Sequence, residues 1–188
     1  MGQRHAGLAF MPSLWVFPGG RLERSDYFLK TRHSLNPAVE ALVAATAPQA
    51  KGETARRNMA RALAACAVRE TQEEVGLHLT DADGQARLDA LHFIARAITP
   101  PYRPRRFDAR FFTAPAEALQ SLTPKVSEGE LNATAWFSLE DAQALDLPSV
   151  TRFVLSDLNL RLGDPNRPPL SLSYPRQGRN SPVPADDR

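Results

Sequence analysis

The chain has 188 residues, 43% hydrophobic and 23% charged, with a formal net charge of +2 at pH 7. That length and balance fit one soluble globular domain with a buried core. They exclude a membrane-spanning chain, since no apolar run approaches the roughly 20 residues needed, and they argue against a nucleic-acid coat, because the arginines are interleaved with acids.

The first residues, "MGQRHAGLAFMPS", lack the long apolar core of a secretory signal. Cys66 is the single cysteine, so an internal disulfide is ruled out and a reducing compartment is expected. Both points predict a cytoplasmic protein. Lysine stands only at Lys30, Lys51 and Lys125. The arginine skew suits forked recognition of phosphate, or equally reflects genomic base composition.

An apolar run, Leu14 to Phe17, predicts a short strand ending in the tight turn Pro18-Gly19-Gly20. Residues 27–56 read as an insert. Within it Asn36-Pro37 is a helix start, an N-cap followed by proline, and the helix stops at Pro48. Thr54 is placed to cap a longer helix that ends at Gly76. "LHLT" (77–80) is a short strand candidate, and Ala90–Ile98 and Arg106–Ala114 are strands flanking the proline-rich "TPPYRPR" loop. Leu131–Leu139 is a further strand, followed by a short helix and then an amphipathic one over Ser149–Leu162. Residues 163–188, rich in Pro, Arg, Asn and Ser, are expected to form a mostly disordered tail. Strands mixed with helices predict an α/β sandwich.

The long helix ends "ACAVRETQEEVGL". Glu70, Glu73 and Glu74 share one face, and Arg69 lies one turn before Glu73. Three crowded carboxylates near a helix C-terminus repel one another and the helix dipole, so a cation among them is stabilising. Oxygen ligands suit Mg²⁺ or Mn²⁺ rather than zinc. A solvated acidic face is the plainer reading of such a cluster alone. Its combination with Pro-Gly-Gly shifts the balance, because glycines let backbone approach a ligand closely.

Gly20 followed later by Arg69-Glu70-Thr71-Gln72-Glu73-Glu74-Val75-Gly76-Leu77 resembles the Nudix box, G-x5-E-x7-R-E-U-x-E-E-x-G-U, where U is a bulky apolar residue. Three features depart from it. Thr71 stands at an apolar position, Asp26 stands where the family has glutamate, and an insert separates the two halves. One branch, similar to the mammalian peroxisomal coenzyme A diphosphatase, interrupts the box at this place. "ITPPYRPRRFDARFFTA" and "ELNATAWFSLEDA" also resemble that branch.

The resemblance implies a Nudix-type α/β/α sandwich with a mixed sheet, spanning 1–162. It implies hydrolysis of a diphosphate in a nucleoside diphosphate linked to another group, with coenzyme A or its thioesters the leading substrate. Metal ligands carried over are Glu70, Glu73, Glu74 and the Gly20 carbonyl; Glu73 either binds metal or pairs with Arg69. Glu130 (or Glu128) is the general-base candidate, and an exposed loop acid is its plain alternative. Asp26 is expected to brace the helix rather than reach metal. A non-catalytic, nucleotide-binding regulatory Nudix module is the alternative function, against which retention of the three glutamates argues.

Arg103, Arg105 and Arg106 form a cationic patch, with Arg105 and Arg106 candidates for substrate phosphate. Arg110 reads instead as an ion-paired strand end beside Asp108. Phe107, Phe111, Phe112, Trp15 and Trp136 read as core, as does Cys66. His5, His33, His78 and His92 lack metal-ligand spacing. Finally, "QRHAGLAFMPS" looks like the remnant of an arginine-bearing segment that ends the first strand of Nudix domains. Either the start lies too far along, or the fold lacks a strand of its sheet. A missing strand would lower stability and expose an edge for pairing with a second chain as a homodimer.

Overall fold

The computed structural model describes residues 1–47, 49–103, 105–125, 131–164 and 166–173. Two three-stranded sheets form its middle layer. In the first, β1 (Gly2–Arg4) lies between β2 (Trp15–Val16) and β5 (Leu131–Thr134), antiparallel to both. An N-terminal strand is thus present inside the sheet, three residues long, and the argument for a homodimer through the edge of a missing strand loses its basis.

In the second sheet, β3 (His92–Ile98) pairs antiparallel with β4 (Asp108–Thr113) and parallel with β6 (Leu170–Leu172). The expected tail from Gly163 is therefore corrected: its first part is woven into the fold. Asp157, 6% exposed, accepts from Arg161 and Arg167 at 2.7 Å each, and Arg161 also donates to the Ile94 carbonyl at 3.1 Å. This network holds the chain leading into β6 against β3. Residues 174–188 lie outside the described residues.

Helices cover both faces. The insert forms α1 (Pro37–Ala45), capped as the sequence predicts, with Asn36 Oδ1 accepting from the Ala38 amide at 2.9 Å. The long helix α2 (Glu53–Val75) starts at Gly52, not Thr54. Gly52 takes φ 86°, a backbone that glycine adopts without strain, and its carbonyl accepts from Arg56. At the other end Gly76, at φ 64°, closes α2 in the left-handed conformation as expected. Ala60, Ala64 and Val68 recur every fourth residue and are buried, so α2 lies close on its neighbours.

Phe93 of β3 packs with Val43, Ala44 and Ala60 of the two helices, whereas its neighbour Ile94 packs with Val154 of α4 (Ser149–Gly163). Adjacent strand residues point to opposite faces, so α1–α2 and α4 sandwich the sheet. Val43 and Val154 are 0% and 1% exposed; burying each contributes roughly 1.5–3 kcal/mol. The insert is thus part of the core through Val43. It is also clipped to the body by Arg32 on Asp81 and Asp83 and by His33 on Asp81.

Other boundaries contract. "LHLT" makes only the bridge Thr80–Ala86, because the turn Asp81–Gln85 follows at once. The last predicted strand stops at Thr134, and α3 (Leu139–Ala144) begins where Ser138 accepts from the Asp141 amide at 3.0 Å. Among the aromatics expected in the core, Trp15 meets Phe137 edge to face, and Phe111 and Phe112 pack on core clusters. Trp136 is 55% exposed, because its indole N–H must reach the Leu122 carbonyl, and Phe107 is 37% exposed on a loop.

Candidate active site

The last turns of α2 carry Arg69, Glu70, Glu73 and Glu74, and the Pro18-Gly19-Gly20 turn after β2 lies across them. Gly19 N–H donates to Glu74 Oε2 at 2.9 Å. At Gly20 the approach is closer still: a Cβ there would lie 2.2 Å from Glu70 Oε1, so only glycine fits without moving that carboxylate. Gly19, Gly20, Glu70 and Glu74 all line one open groove.

Arg69 organises the other side. Its guanidinium reaches Asp26 at 2.9 and 3.1 Å, Glu70 Oε1 at 2.9 Å, Glu73 Oε2 at 2.9 Å and the Arg21 carbonyl at 3.0 Å. Asp26 is 6% exposed and also accepts from the Glu23 amide at 2.7 Å, in a short 3-10 turn over Ser25–Phe28. The shorter carboxylate therefore braces the helix and the FPGG segment together. Of the two roles read for Glu73, the geometry shows pairing with Arg69, and its side chain is 57% exposed.

The electrostatics follow from these contacts. Burial alone would raise the Asp26 carboxyl, but hydrogen bonds from Arg69 and the Glu23 amide, with Arg69's charge, hold it below its ordinary value. Hydrogen bonding to Asp26 keeps Arg69 firmly protonated. Glu70 goes the other way: burial pushes it up, and Arg69 offsets this only in part. A cation beside Glu70 would relieve that cost.

The donor set suits a hard divalent ion. Glu70 and Glu74, one helical turn apart, present carboxylate oxygens to the groove beneath a turn in which Gly20 leaves no space for a Cβ beside Glu70. Among the described residues no three His, Cys, Asp or Glu side chains gather into a complete cage. A hard divalent ion held by one or two carboxylates fills the rest of its shell with water and substrate phosphate.

Arg105 and Arg106 also line the groove, Arg106 with its Nε 3.5 Å from the Thr99 carbonyl and Arg105 over the Phe10 ring. Arg110 is not with them. Its buried guanidinium pairs with Asp108 at 3.0 Å and bonds Thr46 at the end of α1, as a structural strand-end pair. The base candidates Glu128 and Glu130 lie outside the described residues. The sequence reading missed the Gly19 amide, for which the glycine pair was the available signal.

A groove floored by a carboxylate-bearing helix and a Gly-Gly turn lies within this α/β sandwich, and the family match places the chain among hydrolases of phosphorus-containing anhydrides. The family model for the NUDIX domain matches residues 58–158, and the chain belongs to that family. The match begins inside α2, beyond the insert, so the FPGG turn joins it in space rather than in sequence. The crystal structure of a NUDIX hydrolase from Alicyclobacillus acidocaldarius is similar in fold, with a TM-score of 0.62 and 22% identity over 92% of this chain and 88% of that one. No curated protein matches the chain.

Proposed function

We propose that this chain cleaves the diphosphate bond of a nucleoside diphosphate linked to a second group, with Mg²⁺ or Mn²⁺ held by Glu70, Glu74 and the Gly20 carbonyl. The observation that carries this reading is the meeting of Gly19 and Gly20 with Glu74 and Glu70 across the insert. When bound, the ion offsets diphosphate charge and activates water for attack on phosphorus.

The chain's own groups divide the remaining work. Arg69 fixes Glu70 and Glu73 in place from behind, so the carboxylates keep their positions while a charged substrate enters. Arg105 and Arg106 contact phosphate oxygens, and Glu130 or Glu128 takes the proton from the attacking water. Similarity to the insert-bearing coenzyme A diphosphatase branch makes coenzyme A and its thioesters the leading substrates. The single cysteine supports action in a reducing, cytoplasmic setting.

The test is a panel of coenzyme A, ADP-ribose, dinucleotides and nucleoside triphosphates with Mg²⁺ or Mn²⁺, products resolved by chromatography, run beside Glu74→Gln. Turnover of at least one diphosphate that Glu74→Gln abolishes is the expected result. Turnover of none by folded protein would leave the regulatory-module reading in its place.

A further inference from the structure

Resting on the hydrolase reading above, we propose that Phe10 and Phe107, with Arg105, form the subsite that binds the substrate's base. The loop between β1 and β2 holds two non-glycine residues in the left-handed region, Met11 at φ 51° and Ser13 at φ 61°. Such conformations persist only where their surroundings hold them, and they cluster at functional sites. Here three bonds do the holding. Arg4 Nε donates to the Phe10 carbonyl at 3.1 Å, Gln3 Nε2 to the Ser13 carbonyl at 3.1 Å, and the Arg4 amide to the Leu14 carbonyl at 3.0 Å.

The result is a fixed Phe10 ring turned onto Phe107, with centroids 5.6 Å apart and planes at 41°. Phe107 is fixed too: its amide donates to Thr99 Oγ1 at 3.0 Å, and its carbonyl accepts from the Thr99 amide at 2.9 Å. The Arg105 guanidinium sits over the Phe10 ring, 5.5 Å from its centroid.

These rings are not core. Phe17, Phe93, Phe111 and Phe112 pack against buried apolar clusters, whereas among the described residues neither Phe10 nor Phe107 joins any of them. Both line a broad cleft whose lining also includes Gly19, Gly20, Glu70 and Glu74. Two phenylalanines held on rigid backbone, beside an arginine and open to a diphosphate site, match the chemistry of a flat heteroaromatic ring joined to phosphate. The base stacks on the rings or on the guanidinium plane, and Arg105 stays close to the phosphates. Phe10, outside the family match over residues 58–158, becomes a specificity-determining residue.

The experiment compares AMP with ribose 5-phosphate by calorimetry in metal-free buffer. The two probes differ at the anomeric carbon, which carries adenine in one and a hydroxyl in the other, and neither contains an anhydride. Wild type is expected to bind AMP at least tenfold more tightly than ribose 5-phosphate. Phe10→Ala and Phe107→Ala should bring AMP down to the ribose 5-phosphate affinity, while Phe10→Tyr keeps the preference. Phe107, being exposed, keeps the test open if Phe10→Ala unfolds the loop.

Equal affinity for both probes in wild type, or unchanged AMP binding in Phe107→Ala, overturns the subsite. Binding and turnover fail separately. A chain inactive on every diphosphate but binding AMP through these rings overturns the hydrolase reading alone, and an active chain without preference for AMP overturns the subsite alone.

Discussion

Asp26 and Arg69 stand 43 positions apart in the chain and meet in a two-point ion pair, with N···O separations of 2.9 and 3.1 Å. The pair closes the insert into a loop, so that the FPGG turn and the glutamate-bearing helix become neighbours. Because Arg69 also grips Glu70 and Glu73, the pair orders the carboxylates.

Removing Asp26 leaves a largely buried guanidinium short of its main partner. Asp26→Ala is expected to cost roughly 3 kcal/mol in chemical denaturation. The pH dependence has a definite sign. Asp26 is held below its ordinary value of 3.8, so its contribution is present above that value and lost as pH falls below it. Wild type should therefore lose stability below about pH 4 more steeply than Asp26→Ala. Parallel acid curves for the two proteins would remove Asp26 from this role.

Gly20→Ala separates site from fold. Gly20 is exposed and its φ is not in the left-handed region, so an alanine is not strained by its backbone. Its Cβ, however, would meet the Glu70 carboxylate, the end of a flexible side chain, at 2.2 Å. Stability should change by about 0.5 kcal/mol or less, while kcat falls on the order of 100-fold through displacement of Glu70. A fully active Gly20→Ala enzyme would show that Glu70 need not stay where the glycine lets it lie.

Much of this was legible in the sequence because it is local. Asn36-Pro37 and Gly76 end their helices by rules confined to a turn, and the shared face of Glu70 and Glu74 follows from helical periodicity. What escaped was decided across the chain. Leu170–Leu172 looked like tail because three residues carry no pattern of their own. They are strand only because β3 offers an edge and Asp157 with Arg161 and Arg167 tethers the approach. Phe107 looked like core beside Phe111 and Phe112, yet the strand begins at Asp108, which leaves Phe107 on the loop to meet Phe10.

Cys66 should be chemically quiet. Burial, with the charge of Asp26 nearby, pushes its thiol up to about 12, although Arg69 lies close to the sulfur. Iodoacetamide at pH 8 should modify the native protein far more slowly than the denatured chain, and Cys66→Ala should keep full activity. Alkylation of the native protein at the rate of a free thiol would mean that this face of α2 opens readily.

Glu70→Gln sets function against stability. Burial raises the Glu70 carboxyl above its ordinary value, so its ionised form at neutral pH is a cost to the folded state. The stability linked to this group is full below that ordinary value, 4.5, and declines as pH rises through the raised one. Glutamine keeps the shape and an oxygen that can accept from Arg69, but it carries no charge. The metal-free variant should melt at the same temperature as wild type or higher. Mg²⁺ or Mn²⁺ should raise the melting temperature of wild type by mass action and leave the variant nearly unmoved. Hydrolysis should fall roughly 100-fold or more, as expected when a group acting on transition-state charge is lost. A variant several degrees less stable without metal would make Glu70 a structural partner of Arg69. An undiminished cation-induced shift would move the metal off Glu70 altogether.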